Sequence, residues 1–115
     1  MKKTKMLKKN YEFKIVLDKG KCYSGKYIVI FVKRNNKNSN FLGIAISSKL
    51  GNAVKRNYLK RIIREVYKNT EEQIKTGYNI VFLWKKKSNI EKACYDNIKK
   101  DTIKIFKDAE MFLEE

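Results

Sequence analysis

The sequence predicts a single α/β domain over residues 1–115. Its element order is αβββαβα, or αββαβα if one short strand is absent, with the sheet packed by helices on one or both sides. Three observations carry this. The runs YIVIFVK (27–33), FLGIAIS (41–47) and YNIVFLW (78–84) have the length and the β-branched and aromatic content of strands. Three other stretches space their apolar residues as a helix does. Nothing divides the chain, which has no proline, repeat or linker, and its 43% hydrophobic content is enough for one core.

The first helix is predicted over 10–19, with Asn10 as N-cap and Phe13, Val16 and Leu17 on one face. Gly20 fits the residue just past its end, where a left-handed conformation is common. A short strand near Lys21–Tyr23 precedes the strand 27–33. The polar tract KRNNKNSN (33–40) is a loop, and the short gap predicts that strands 27–33 and 41–47 pair antiparallel. Gly51-Asn52 then punctuates the chain, and Asn52 caps a helix over 53–68. NTEEQIKTG is a loop with a further helical turn, closed by Gly77. The nearly continuous apolar run 78–84 predicts a strand buried on both faces. The last helix is predicted from Ser88, where Ser88 and Glu91 fit the Ser-x-x-Glu capping box. Ile90, Cys94, Ile98, Ile105, Ala109 and Phe112 then recur at helical spacing.

Charge narrows the function classes. The net charge is +16, far above what solubility asks of a small domain, and such a field attracts polyanions. The signs are also segregated. From Lys19 to Arg64 there are twelve Lys or Arg and no Asp or Glu, and all but two acidic residues lie at Glu65 or beyond. There is no histidine, which removes Ser–His, Cys–His and His–metal chemistry. Cys22 and Cys94 are predicted to be reduced thiols, and two Cys without His make no ordinary zinc site, so no metal site is expected in the protein. No apolar run reaches membrane-spanning length, and MKKTKMLKKN lacks the apolar segment of a signal peptide; the expected location is the cytoplasm.

The helix 53–68 concentrates this charge. At about 100° per residue, Arg56, Asn57, Lys60, Arg61, Arg64 and Lys68 fall within roughly 140° of arc. Val54, Tyr58, Leu59, Ile62, Ile63 and Val66 spread around the other side, with Lys55 the exception among them. A helix built only for solubility alternates Glu with Lys or Arg four residues apart; here Arg56, Lys60 and Arg64 stand at i, i+4 and i+8 and repel. The chain has 24 Lys and four Arg, and three of the four are Arg56, Arg61 and Arg64. Arginine's planar fork pairs with phosphate in a way that lysine does not, and its plane stacks on RNA bases. Ahead of the helix, Ser47, Ser48 and Lys49 lead into the Gly51 turn, a natural phosphate seat at a helix N-terminus. These residues predict a nucleic-acid-contacting face. DNA is disfavoured, because strands and not a second helix precede 53–68. A stand-alone nuclease is disfavoured because the acidic residues are scattered.

The stretch GIAISSKLGNAVKRNYLKRIIRE resembles the signature of the bacterial ribonuclease P protein subunit, S-K-K-x-G-N-A-V-x-R-N-R-x-K-R-x-x-R. LKKNYEFKIVLDKGK, YIVIFV, YNIVFLW and the long last helix fall in the family's order and spacing. Two positions depart: Ser48 stands for the second residue of S-K-K, and Tyr58 for the third of R-N-R. The resemblance implies the fold shared with domain two of ribosomal protein S5, of order αβββαβα, with a left-handed β–α–β crossover. It implies a subunit of an endoribonuclease that matures the 5′ end of precursor transfer RNA. The catalyst would be the RNA subunit with magnesium, with no catalytic side chain and no tightly held cofactor in the protein. Lys49, Asn52, Arg56, Asn57, Lys60, Arg61 and Arg64 would face the RNA subunit. Phe13, Leu17 and Phe31 would line a cleft for the 5′ leader of the precursor, Leu17 departing from the family's aromatic residue. The alternative is a general RNA-binding or ribosomal protein without an enzymatic partner, and only the motif separates the two.

Overall fold

In the computed structural model, which describes residues 3–114, five strands form one mixed sheet. The elements are β1 (Thr4–Met6), α1 (Asn10–Lys19), β2 (Lys21–Ser24), β3 (Ile28–Arg34), β4 (Asn40–Ala45), α2 (Ala53–Thr70), β5 (Tyr78–Trp84) and α3 (Tyr95–Asp108). Single 3₁₀ turns lie at Glu71–Gln73 and Ile90–Lys92. The predicted order holds, with one further strand, β1, in front.

The strand order is β1-β4-β5-β3-β2. The expected antiparallel pairing of β3 with β4 does not occur. β5 lies between them, parallel to β4 and antiparallel to β3. The reason is the composition of β5: Val81 is buried on one face and Ile80, Phe82 and Trp84 on the other, so only a central position covers both. β4 and β5 are thus parallel neighbours joined through α2.

The main core lies between the sheet and the pair α2 and α3. Ile28, Ile30, Leu42, Ile80 and Phe82 meet Leu59, Ile63 and Val66 of α2 and Ile98 and Ile105 of α3. Phe82 sits at its centre, edge-on to Tyr67 at 6.3 Å and to Phe106 at 6.3 Å, the geometry that aromatic quadrupoles favour. On the opposite face α1 covers a smaller cluster built on Leu7, Val16 and Val81.

Two buried polar groups tie the layers. The Tyr67 hydroxyl lies 2.7 Å from that of Thr4 on β1 and accepts from Asn40 Nδ2 on β4. Burial pushes the Tyr67 phenol above its usual pKa, which keeps it a neutral partner. This bond docks β1 against α2. The carboxylate of Asp101 on α3 accepts from three successive backbone N–H groups, those of Lys26, Tyr27 and Ile28 at 3.0, 2.6 and 3.0 Å.

The helix ends depart from expectation in three places. Lys9, not Asn10, is the N-cap of α1, and Glu12 reaches back to accept from the Lys9 N–H at 3.0 Å. Gly20 is extended (φ −77°), so no left-handed residue ends α1; glycine is needed because a Cβ there would lie 2.5 Å from the Val16 carbonyl oxygen. Ser88 does not start α3. Its carbonyl accepts from Trp84 Nε1, Asn89 caps the 3₁₀ turn by accepting from the Glu91 N–H, and α3 begins after Cys94. Cys22 and Cys94 are both free and exposed.

At its other end α3 closes in a Schellman motif. The Met111 N–H donates to the Phe106 carbonyl and the Glu110 N–H to that of Lys107, with Glu110 left-handed at φ 56°. Glycine is the residue that adopts this conformation without steric cost. Glu110→Gly is therefore expected to stabilise the fold by about 1 kcal/mol. A urea-unfolding midpoint that stays put or falls contradicts this.

Candidate nucleic-acid interface

α2 begins where predicted. Asn52 Oδ1 accepts from the Lys55 N–H at 2.9 Å, and Gly51 takes the positive φ (65°) that the turn before it requires. The buried side is Leu59, Ile62, Ile63, Val66, Tyr67 and Thr70. Relative to the expected apolar stripe, the helix is rotated about its axis by about 50°. Tyr67 and Thr70 turn inward, while Val54 and Tyr58 turn outward at 76% and 56% exposure. Tyr58 therefore does not lie on a core-facing flank. It stands one turn before Arg61 on the exposed side of the helix.

Asn57, Arg61, Arg64 and Lys68 are exposed, and Arg56 and Lys60 lie half-buried along the border. The ion pairs among the described residues lie elsewhere, at Lys3–Glu72, Lys55–Glu91 and Lys104–Asp108. Lys55, which stands apart from the basic row, holds Glu91, and its hydrogen-bonded ammonium lowers the Glu91 pKa. Arg56 has a second task. Its Nη1 donates to the carbonyls of Ser48 (3.0 Å) and Gly51 (2.8 Å), bracing the loop that precedes the helix. That loop presents Lys49 in solvent, its N–H donating to Ser47 Oγ.

The other predicted group is only partly assembled. Phe13 of α1 and Phe31 of β3 are half-buried against the same small cluster. Phe13 packs close against the sheet because residue 43 is glycine; a Cβ there would come within 2.6 Å of the ring. Leu17 is exposed and outside that cluster. Phe41 and Leu83 join it and were not anticipated, although strand alternation places both on this face. Among the described residues no three of His, Cys, Asp and Glu are grouped so as to hold a metal ion, and no helix is long and apolar enough to cross a membrane.

A mixed sheet backed by an N-capped helix, with a row of Arg, Lys and Asn free of ion pairs, defines a class: small basic α/β proteins that bind RNA. The family model described as Ribonuclease P matches residues 1–110. The chain belongs to the ribonuclease P protein family: it is a protein subunit of that endoribonuclease, with an RNA subunit as its implied partner, and takes part in the 5′ maturation of transfer RNA. It is 39% identical over 113 residues to the ribonuclease P protein component of Clostridium botulinum (strain 657 / Type Ba4), covering 97% of this chain and 99% of the relative. Among solved structures it is similar to the RNase P protein of Staphylococcus aureus, with TM-score 0.79 and 31% identity over 94% of this chain and 97% of the other. It is also similar to that of Thermotoga maritima, with TM-score 0.80 and 26% identity over 96% and 99%.

Proposed function

We propose that the row Lys49, Asn52, Arg56, Asn57, Lys60, Arg61 and Arg64 docks on the catalytic RNA subunit. The half-buried aromatic surface at Phe13 and Phe31, bordered by Leu17, holds the 5′ leader of precursor transfer RNA. The observation that carries this reading is the row itself: three of the chain's four arginines share one helix face, and none of the row's cations takes part in the ion pairs among the described residues, at an energetic cost that counter-charge from phosphate removes. Arginine forks fit phosphate oxygens bidentately, and stacked aromatic rings hold bases without reading their sequence. The protein supplies position and charge. Magnesium and the cleavage chemistry belong to the RNA, and the complex works in the cytoplasm.

The test is reconstitution with a bacterial ribonuclease P RNA and a precursor transfer RNA. The protein is expected to stimulate cleavage at low magnesium and to cleave nothing alone. Cleavage without the RNA subunit, or no stimulation with it, rejects the reading.

A further inference from the structure

The fourth arginine, Arg34, stands apart from α2. It ends β3, paired in register with Tyr78 of β5, while on β2 Lys21 pairs with Val32 and Tyr23 with Ile30. Strand alternation therefore puts Lys21, Tyr23, Arg34 and Tyr78 on the sheet face that carries α2 and α3. α3 stops short of this corner, with Ala109 and Met111 at its border. What remains is a hollow of about 320 Å³ walled by the two tyrosines and by Lys19, Lys21, Lys33 and Arg34.

No acidic residue lines it, and the ion pairs among the described residues lie elsewhere. The terminal carbonyls of α3 are closed too, since those of Ile105, Phe106 and Lys107 accept from Ala109, Met111 and Glu110. The corner thus presents Lys21 and Arg34 beside two half-buried phenol rings, with Lys19 and Lys33 at its border and no acidic residue in its lining. It is also remote from the α2 loop. Ala45 pairs with Leu83 at the far end of β5, so the loop to α2 leaves the sheet about 20 Å from the Arg34–Tyr78 pair. α2 lies toward β1 and α3 toward β2, so α3 also separates the two surfaces.

We infer that this corner is a second RNA-contact site, seating a backbone phosphate on Arg34 and Lys21 with an adjoining base against Tyr23 or Tyr78. The inference rests on the chain's role as an RNA-binding subunit and adds a surface to it. The strand it takes comes from either the RNA subunit or the precursor, and two binding measurements separate these. One is the full chain with ribonuclease P RNA; the other is the reconstituted holoenzyme with precursor transfer RNA, each across a salt series. Because the whole protein is basic, Lys99→Ala, on the exposed side of α3, serves as the control for loss of one diffuse charge.

Arg34→Ala and Lys21→Ala are expected to weaken binding of at least one RNA several-fold beyond Lys99→Ala, and to lower the salt slope by about 1 each. Tyr23→Phe should keep affinity, while Tyr23→Leu should lose it at an unchanged slope. If Arg34→Ala and Lys21→Ala match Lys99→Ala with both RNAs, the site does not exist. Arg61→Ala, run in parallel, tells the two readings apart. If Arg61→Ala still stands out, only this second site falls; if it too matches the control, the α2 reading falls with it.

Discussion

Asp101→Ala is expected to destabilise the protein by about 3 kcal/mol or more, a large share of the stability of a small domain. The carboxylate is 6% exposed and is the acceptor for three consecutive backbone N–H groups at the β2–β3 turn. Removing it leaves those donors at a site where water does not easily replace it, and a hydrogen bond to a charged acceptor is among the stronger kinds. The turn also carries Tyr27, whose ring stacks on Trp84 at 5.7 Å, so its loosening reaches the edge of the core. Gly25→Ala should act through the same group, because a Cβ there would lie 2.6 Å from Asp101 Cγ and displace the carboxylate. Urea unfolding of both single variants and the double variant checks this. The double variant should lose less than the sum of the two, since each change breaks the same contact. Additive losses, or a loss under about 1 kcal/mol for Asp101→Ala, would show that the turn holds without its acceptor.

Asp101 also marks a limit of what residues in order disclose. An acidic residue in the middle of a predicted helix reads as solvated, and only the fold brings it to a turn 75 positions away in the chain. The same holds for strand pairing. Nearness in sequence favoured a β3–β4 hairpin, but the decisive fact was already visible in YNIVFLW, because a strand apolar on both faces belongs in the middle of a sheet. β1 was missed because Thr-Lys-Met is three residues long and is held by a hydroxyl pair with Tyr67, which no local pattern encodes. At Ser88 a motif match misled, since its carbonyl was needed by the Trp84 indole. α2 was the most legible element. Its cap, its start and its arginines were all readable from composition and spacing. Its rotation was not, because Val54 and Tyr58 count as apolar by type while their position faces solvent.

That rotation and the loop contacts of Arg56 set the expected order of the interface variants. Arg61→Ala should weaken binding of the ribonuclease P RNA by about tenfold and lower the salt slope by about 1, since it removes one exposed cation of the proposed docking row and leaves the backbone as it was. Arg56→Ala should cost more, about 2–3 kcal/mol. It removes a contact and also releases the carbonyls of Ser48 and Gly51, so the loop holding Lys49 and the Asn52 cap loses its brace. Nη1 alone serves both carbonyls and leaves Nε and Nη2 for a phosphate, whereas a lysine at 56 has one nitrogen for all three tasks, so Arg56→Lys should fall between wild type and Arg56→Ala. At Arg61 the lysine variant should come closer to wild type. Filter binding over a salt series reads both affinity and slope. If Arg56→Ala and Arg61→Ala prove equal, or Arg56→Lys is indistinguishable from wild type, then Arg56 acts as a charge alone and the brace has no part in RNA binding.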